Sequence, residues 1–181
     1  MSVLKFDEYF SVNESVDQKF EIWKQKFDKY MNEMIQELQM DYLDSLGLKI
    51  EVNPDYVFSC SKSRWLAVYE KSSRKIENGI VSIGINYPHM YKEMCKRGTD
   101  KDRFNIEAQA RITIGHEIGH GLIDYIRGLD KEMVKNSINV KSVVKCGSKK
   151  EEEIVEEFGE WLFPEATDVY DSILVDTLEE I

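Results

Sequence analysis

The chain has 181 residues, 42% of them hydrophobic, with 34 acidic against 24 basic side chains and a formal net charge of −10. That length is enough to bury the core of one domain without disulfide or metal staples, and that charge opposes general affinity for nucleic acid or anionic lipid. No run approaches the roughly 18 apolar residues of a membrane span, and Met1 to Phe10 mixes charges with aromatics as no secretory leader does, so the expectation is a cytoplasmic protein with no membrane partner and no direct nucleic-acid partner.

The first predicted element is a long amphipathic helix from about Val16 to Leu46. Its apolar residues Val16, Phe20, Trp23, Phe27, Tyr30, Met31, Met34, Leu38 and Tyr42 recur every three to four positions, and Gly47 ends it. Such a stripe is a packing face. Asn53-Pro54 marks a turn, after which Tyr56 to Phe58 and Arg64 to Tyr69 read as short strands. Gly79 to Asn86 alternates apolar and small residues and reads as a third strand, stopped by Pro88. A helix followed by a small sheet points to an α+β domain.

Beyond a polar loop, in which Lys96, Arg97, Lys101 and Arg103 read as a solvated basic cluster, Asp102 or Asn105 is placed to cap a helix reaching about Ile126 and closed by Gly128. A strand is expected at Ile138 to Val144, then a helix from Glu151 to Phe163 stopped by Pro164, and a docked terminal helix within Thr167 to Ile181. Cys60, Cys95 and Cys146 are odd in number and form no CxxC pair, so they read as reduced thiols and not as ligands of a structural zinc.

The chemistry concentrates in His116-Glu117-Ile118-Gly119-His120, an HExxH run on the helix expected to begin near Asn105. Only three histidines occur in the chain, and two of them are here. Four residues apart on a helix, both imidazoles lie on one face and reach a single ion, while Glu117 is rotated by about 100° and can act on a metal-bound water without ligating the metal. This is the zinc-protease arrangement of two imidazole ligands and a general base. Chance would place it in roughly one chain in a hundred of this length. The plainer alternative, two polar residues on a solvated helix face, is opposed by Gly115, Gly119 and Gly121, each of which costs a helix interior about 1 kcal/mol relative to Ala and so calls for close backbone packing.

A catalytic zinc needs a third protein ligand and an open position. No histidine follows His120, and His89 stands upstream beside Pro88, where it reads as a surface residue. A carboxylate from the acidic run Glu151, Glu152, Glu153, Glu156, Glu157 and Glu160 is therefore expected, most of that run being a solvated helix face. Both Glu151 and Glu152 sit at the edge of the apolar stripe formed by Ile154, Val155, Phe158, Trp161 and Leu162, and periodicity does not separate them.

Arg111-Ile112-Thr113-Ile114-Gly115-His116-Glu117-Ile118-Gly119-His120 resembles the R-F-T-x-A-H-E-L-G-H block of the ImmA/IrrE-like metallopeptidases, which are gluzincins. Ile83-Gly84-Ile85-Asn86 resembles the strand ending in Asn that this family places before its zinc helix, and Glu152 to Gly159 resembles its E-x-x-A-N/D-x-F-A segment. The resemblance covers about Gly79 to Pro164. It implies that His116, His120 and Glu152 ligate Zn2+, that Glu117 is the catalytic base, and that Glu156 stands behind the ligands. An alignment without a gap before Pro164 would give the ligand's place to Glu151, and Glu153 and Glu156 are the further alternatives. Val155 stands where the family usually has Ala, Glu156 where it has Asn or Asp, and Asp124 where it often has another His.

The organisation implied is one metallopeptidase-like domain over 1–181, with a helical extension at 1–50, a zincin core at 79–164 carrying a mostly antiparallel sheet and the active-site helix, and an acidic terminal helix at 165–181. The activity implied is zinc-dependent endopeptidase cleavage of a protein or peptide substrate, with a phage, mobile-element or stress repressor as the target class. The strand Ile80 to Asn86 would pair with an extended substrate, and Tyr87, Tyr91 and Tyr125 are the candidates for polarising the scissile carbonyl. The alternative is a non-catalytic zinc-binding regulatory or protein-interaction module on the same fold.

Overall fold

The computed structural model describes residues 16–58, 64–70, 76, 79–97, 106–129, 138–163 and 171–181. Helix α1 spans Val16–Leu38 and continues as a π-helical turn over Gln39–Leu43. Strands β1 (Lys49–Asn53), β2 (Ala67–Tyr69) and β3 (Ile80–Ile85) follow, then α2 (Tyr87–Arg97), α3 (Ile106–Gly128), α4 (Ile138–Val144), α5 (Ser148–Trp161) and α6 (Ile173–Glu179). The expected α+β class is what is found, with helices dominating and a single three-stranded sheet among the described residues.

The sheet has the order β1-β3-β2. It is mixed and not mostly antiparallel as expected: β1 runs parallel to β3, with Lys49 opposite Ile80 and Asn53 opposite Gly84, while β2 runs antiparallel to β3, with Ala67 opposite Ile85 and Tyr69 opposite Ile83. β3 is thus the central strand, paired on both sides, and its Val81, Ile83 and Ile85 are fully or almost fully buried. The peptide-pairing role expected of Ile80 to Asn86 is therefore closed to it, because β1 and β2 flank it on both sides; among the described residues β2 has no strand on its other side.

α1 packs its expected stripe inward. Trp23, Phe27, Met31, Met34 and Leu38 fall four, four, three and four residues apart, and all belong to the core that also holds Ile114 and Ile118 of α3. The helix is part of that core and not an appendage to it. Gly47 reverses the chain after the π turn with φ +64, a left-handed conformation that glycine adopts without a Cβ penalty.

Four sequence expectations change. Ile138–Val144 is a helix, not a strand: Val140 and Val143 are buried three residues apart against neighbouring helices, and that burial outweighs the β-branched composition. Tyr56 to Phe58 is irregular; the Tyr56 ring covers Gly84, where a Cβ would collide with it, and meets Phe58 edge-on at 4.9 Å. Pro88 does not end a strand in a loop but is the second residue of α2, whose start is capped by the Asn86 side chain accepting the His89 N–H at 3.3 Å. β1 is a strand where none is expected from the sequence. Asp102 and Asn105, the proposed caps of α3, lie outside the described residues, as do Cys60 and Lys101 and Arg103 of the basic cluster. No helix among the described residues is long and apolar enough to cross a membrane.

α3 runs through the middle of the fold. Ala110, Ile114, Gly115, Ile118, Gly119, Gly121, Leu122, Ile123, Asp124 and Ile126 are all buried, so nearly every side of the helix is covered. Arg111 fastens its first half: the guanidinium meets Glu37 of α1 at 2.7 and 3.2 Å, Glu107 at 3.0 Å and the Leu162 carbonyl at the end of α5 at 3.5 Å. One side chain thereby ties three helices together.

Candidate metal centre

The glycines of α3 explain how the HExxH turn comes to face α5. A Cβ on Gly115 would lie 2.5 Å from Leu162 Cδ1, one on Gly119 would lie 3.0 Å from Val155 Cγ1, and one on Gly159 of α5 would lie 2.7 Å from the Ile112 carbonyl oxygen. The two helices therefore approach backbone to backbone along a seam where side chains have no room. Gly121 faces the other way and lets Val81 of β3 touch the helix. The helix-propensity cost of these residues is offset by the closeness they permit.

That closeness brings the first turn of α5 against the two histidines. His116 Nε2 is 3.5 Å from Glu152 Oε2, and His120 Nε2 is 3.6 Å from Glu152 Oε1. One ligand atom from each of His116, His120 and Glu152 lies within 4.8 Å of the others. Two ligands about 2.0–2.1 Å from a tetrahedral ion sit roughly 3.3 Å apart, so the observed separations are those of a set a small adjustment from closing on a metal. Two imidazoles and one carboxylate are a borderline-soft donor set of the kind that suits zinc, and the residues fit the group.

Geometry separates the glutamates that periodicity left together. Glu152 is the one facing both Nε2 atoms. Glu151 turns to the other side of His120: its Oε1 is 3.2 Å from His120 Nδ1 and its Oε2 accepts a 2.8 Å hydrogen bond from Arg127 Nη2. Glu153 points to Lys149, 3.8 Å away. Glu156 is exposed, and its charge acts on His116 from outside the cluster. His89 is not in the cluster.

The electrostatics favour ligation. Burial, reinforced by the neighbouring His120, pushes the His116 imidazole below its ordinary pKa against the pull of Glu152 and Glu156, which keeps its nitrogen available as a neutral donor. Burial alone would raise the Glu151 carboxyl, but the hydrogen bonds from Arg127 and His120 outweigh it and hold it below the usual carboxylate range.

Glu117 faces the sheet. Its Oε2 accepts the backbone N–H of Tyr69 at 2.7 Å. The Glu70 N–H bonds to Ser82 and the Leu66 carbonyl accepts the Asn86 N–H, so alternate residues of the strand turn toward β3 and the Tyr69 N–H points off its outer edge, where Glu117 meets it. Tyr69 was not singled out by the sequence; the only signal was its place in a short apolar run ahead of the helix. Its ring packs beside Gly121, and burial with the charge of Asp124 pushes its phenol up to about 12.

The three tyrosines expected to polarise a carbonyl have their hydroxyls engaged elsewhere. The Tyr87 hydroxyl donates to Asp28 at 2.5 Å in the α1–α2 contact, the Tyr91 hydroxyl is hydrogen-bonded with Cys95 while its ring lies on Phe20 and Trp23, and the Tyr125 hydroxyl donates to the Leu46 carbonyl at 3.4 Å. Compared with known proteins, the chain matches no family model, no curated sequence and no solved structure.

Proposed function

We propose that this chain is a zinc-dependent endopeptidase, similar in its site to the ImmA/IrrE-like gluzincins, acting on a flexible segment of another protein in the cytoplasm. The observation that carries this reading is the convergence of His116, His120 and Glu152 beside a glutamate, Glu117, fixed on the next position of the same helix. A purely structural ion site has no need of a base in that position.

His116 and His120 would hold the ion through their Nε2 atoms and Glu152 through its carboxylate. Zinc, when bound there, supplies a Lewis acid for the scissile carbonyl and lowers the pKa of a water. Glu117 would serve as general base toward the attacking water and as general acid toward the leaving amine. The Tyr69 N–H restrains the Glu117 side chain where α3 meets β2. That N–H is taken by Glu117, but it lies on the side of β2 away from β3, so an extended peptide laid along that side would run beside Glu117. The site accordingly selects for segments that can be drawn out as a strand, and a repressor of a phage, mobile element or stress regulon is the class of substrate that the family resemblance implies.

The test is zinc content and proteolysis of purified wild type and Glu117→Gln. The variant is expected to bind one zinc per chain and keep its fold while cleaving an unfolded protein 10²–10⁴-fold more slowly. A wild type that takes up no stoichiometric zinc on loading would end this reading. Zinc-loaded wild type that cleaves neither unfolded protein nor a panel of helix-turn-helix repressors would favour the non-catalytic module.

A further inference from the structure

Glu151 is sheltered where Glu152 is open: the side chains of Glu151 and His120 are each 19% exposed, that of Glu152 56%. Its two oxygens are divided between His120 Nδ1 and Arg127 Nη2. Arg127 is seven residues beyond His120, two turns along nearly the same face of α3. It also donates to the Cys146 carbonyl at 3.4 Å and approaches Asp124 Oδ1 at 3.7 Å. Cys146 stands just ahead of α5, so Arg127 fastens both the entry to that helix and its first acidic side chain to α3.

We propose that Glu151 and Arg127 are positioning residues for the metal centre: Glu151 accepts the Nδ1 proton of His120 and so fixes the ring in the tautomer whose Nε2 lone pair faces Glu152, and Arg127 holds Glu151 in place. This rests on the reading that His116, His120 and Glu152 bind a metal. A neutral imidazole carries its proton on one nitrogen only, so engaging Nδ1–H leaves Nε2 as the donor atom. A carboxylate at this position also makes the ring a stronger base toward an ion. Because Glu151 and Glu152 are consecutive on one helix, the bond that orients His120 sets the place of the carboxylate ligand as well. Arg127, without touching the ion, would thus govern two of the three ligands.

The chain's three histidines make the test direct. Long-range 1H–15N correlation spectra of metal-free protein near pH 8, assigned with single histidine variants, report the ring tautomer, and competition with a chromophoric chelator reports zinc affinity. Wild type is expected to show His120 protonated at Nδ1. Glu151→Ala should lose that preference and bind zinc 10–100-fold more weakly. Glu151→Gln retains an acceptor oxygen and should keep the tautomer with a smaller loss of affinity. Arg127→Met should weaken zinc binding with Glu151 intact, and Arg127→Lys should restore part of it. Circular dichroism establishes that each variant is folded; if Glu151→Ala is not, Glu151→Gln and Arg127→Met decide by the same two readouts. Folded variants with wild-type tautomer and wild-type zinc affinity would overturn the proposal, leaving the pair a plain tie between helices. Loss of zinc in Glu151→Ala with retention in Glu152→Ala would overturn it too, by making Glu151 the ligand. A wild type with the expected tautomer that binds no zinc would sink the metal reading alone.

Discussion

Replacing Gly159 by Ala tests whether the α3–α5 seam builds the site. On an exposed helix this substitution stabilises by about 1 kcal/mol, because Ala loses less backbone entropy than Gly. Here the new Cβ would stand 2.7 Å from the Ile112 carbonyl oxygen and 3.3 Å from the His116 backbone nitrogen. Carbon-to-carbonyl contacts are normally about 3.3 Å or longer, so the helices must part by roughly 0.6 Å. Both neighbours are backbone atoms in the middle of a helix, so neither can rotate aside. Overpacking of this kind costs about 1–3 kcal/mol, which should outweigh the propensity gain and leave the variant less stable by about 1 kcal/mol. Glu152 stands seven residues, about 10 Å, before Gly159 on α5, and any parting of the helices draws it from the histidines, so zinc affinity should fall as well. Gly128→Ala is the internal control: among the described residues, nothing outside its own helix backbone and chain neighbours lies within 4 Å of its Cβ, and it should be neutral or stabilising. Urea denaturation gives both stabilities and chelator competition gives both affinities. A Gly159→Ala protein as stable as the Gly128→Ala one, with zinc affinity unchanged, would refute the seam as the device that positions the ligands.

Among the acidic residues of α5, Glu152→Ala should abolish stoichiometric zinc binding whereas Glu153→Ala should leave it intact, read by metal analysis after gel filtration; equal losses would mean the run binds zinc as a diffuse acidic face. Zinc at about a hundredfold over its Kd should stabilise the fold by about 2.7 kcal/mol, a rise in Tm of roughly 5–10 °C for a chain of this size, reversed by a chelator; a Tm indifferent to zinc would argue against a site joining α3 to α5. Glu37, held below its ordinary pKa by the hydrogen bond from Arg111, contributes stability that is complete above the unfolded carboxylate pKa and lost as pH falls through its lower folded value. Glu37→Gln should therefore be less stable at pH 7, by about 0.5 kcal/mol given a side chain more than half exposed, and the difference should shrink as the pH falls below the ordinary carboxylate range. A difference that does not shrink with acidification would assign the contact's worth to packing instead of charge.

What the sequence disclosed followed from how local each signal is. The stripe of α1 is periodic over more than twenty residues and its helix begins where that period puts it, though the α-helix ends at Leu38 and a π turn takes it on to Leu43; α3, buried on nearly every side, is placed by its boundaries and its HExxH run. His116, Glu117 and His120 lie within five residues, so their mutual placement needs only a helix. Ile138–Val144 went the other way, because a seven-residue segment rich in valine has no period long enough to read and is decided by the helices it packs against. α2 was hidden by reading Pro88 as a stop; the Asn86 side chain and the dispensable N–H of a first-turn proline were the available sign. Strand pairing was not legible at all: the strand expected to pair with a substrate, β3, is the one flanked on both sides.

The proposed third ligand lies beyond what local sequence signals decide. Glu151 and Glu152 are consecutive, alike in charge, and equally placed at the rim of the apolar stripe. A rotation of α5 by one residue, about 100°, would exchange which of them faces the Nε2 atoms and which faces Nδ1. No property of the α5 sequence alone fixes that rotation. It is fixed by Gly159 seated against the Ile112 carbonyl, by Val155 over Gly119, and by Arg127 reaching Cys146 and Glu151. The glycines that first marked the HExxH helix as unusual are thus half of a seam whose other half is on α5, and the seam assigns the two carboxylates their different places around His120. A centre built this way should respond to small changes of helix spacing far from any ligand, as a pair of histidines on a solvated face would not.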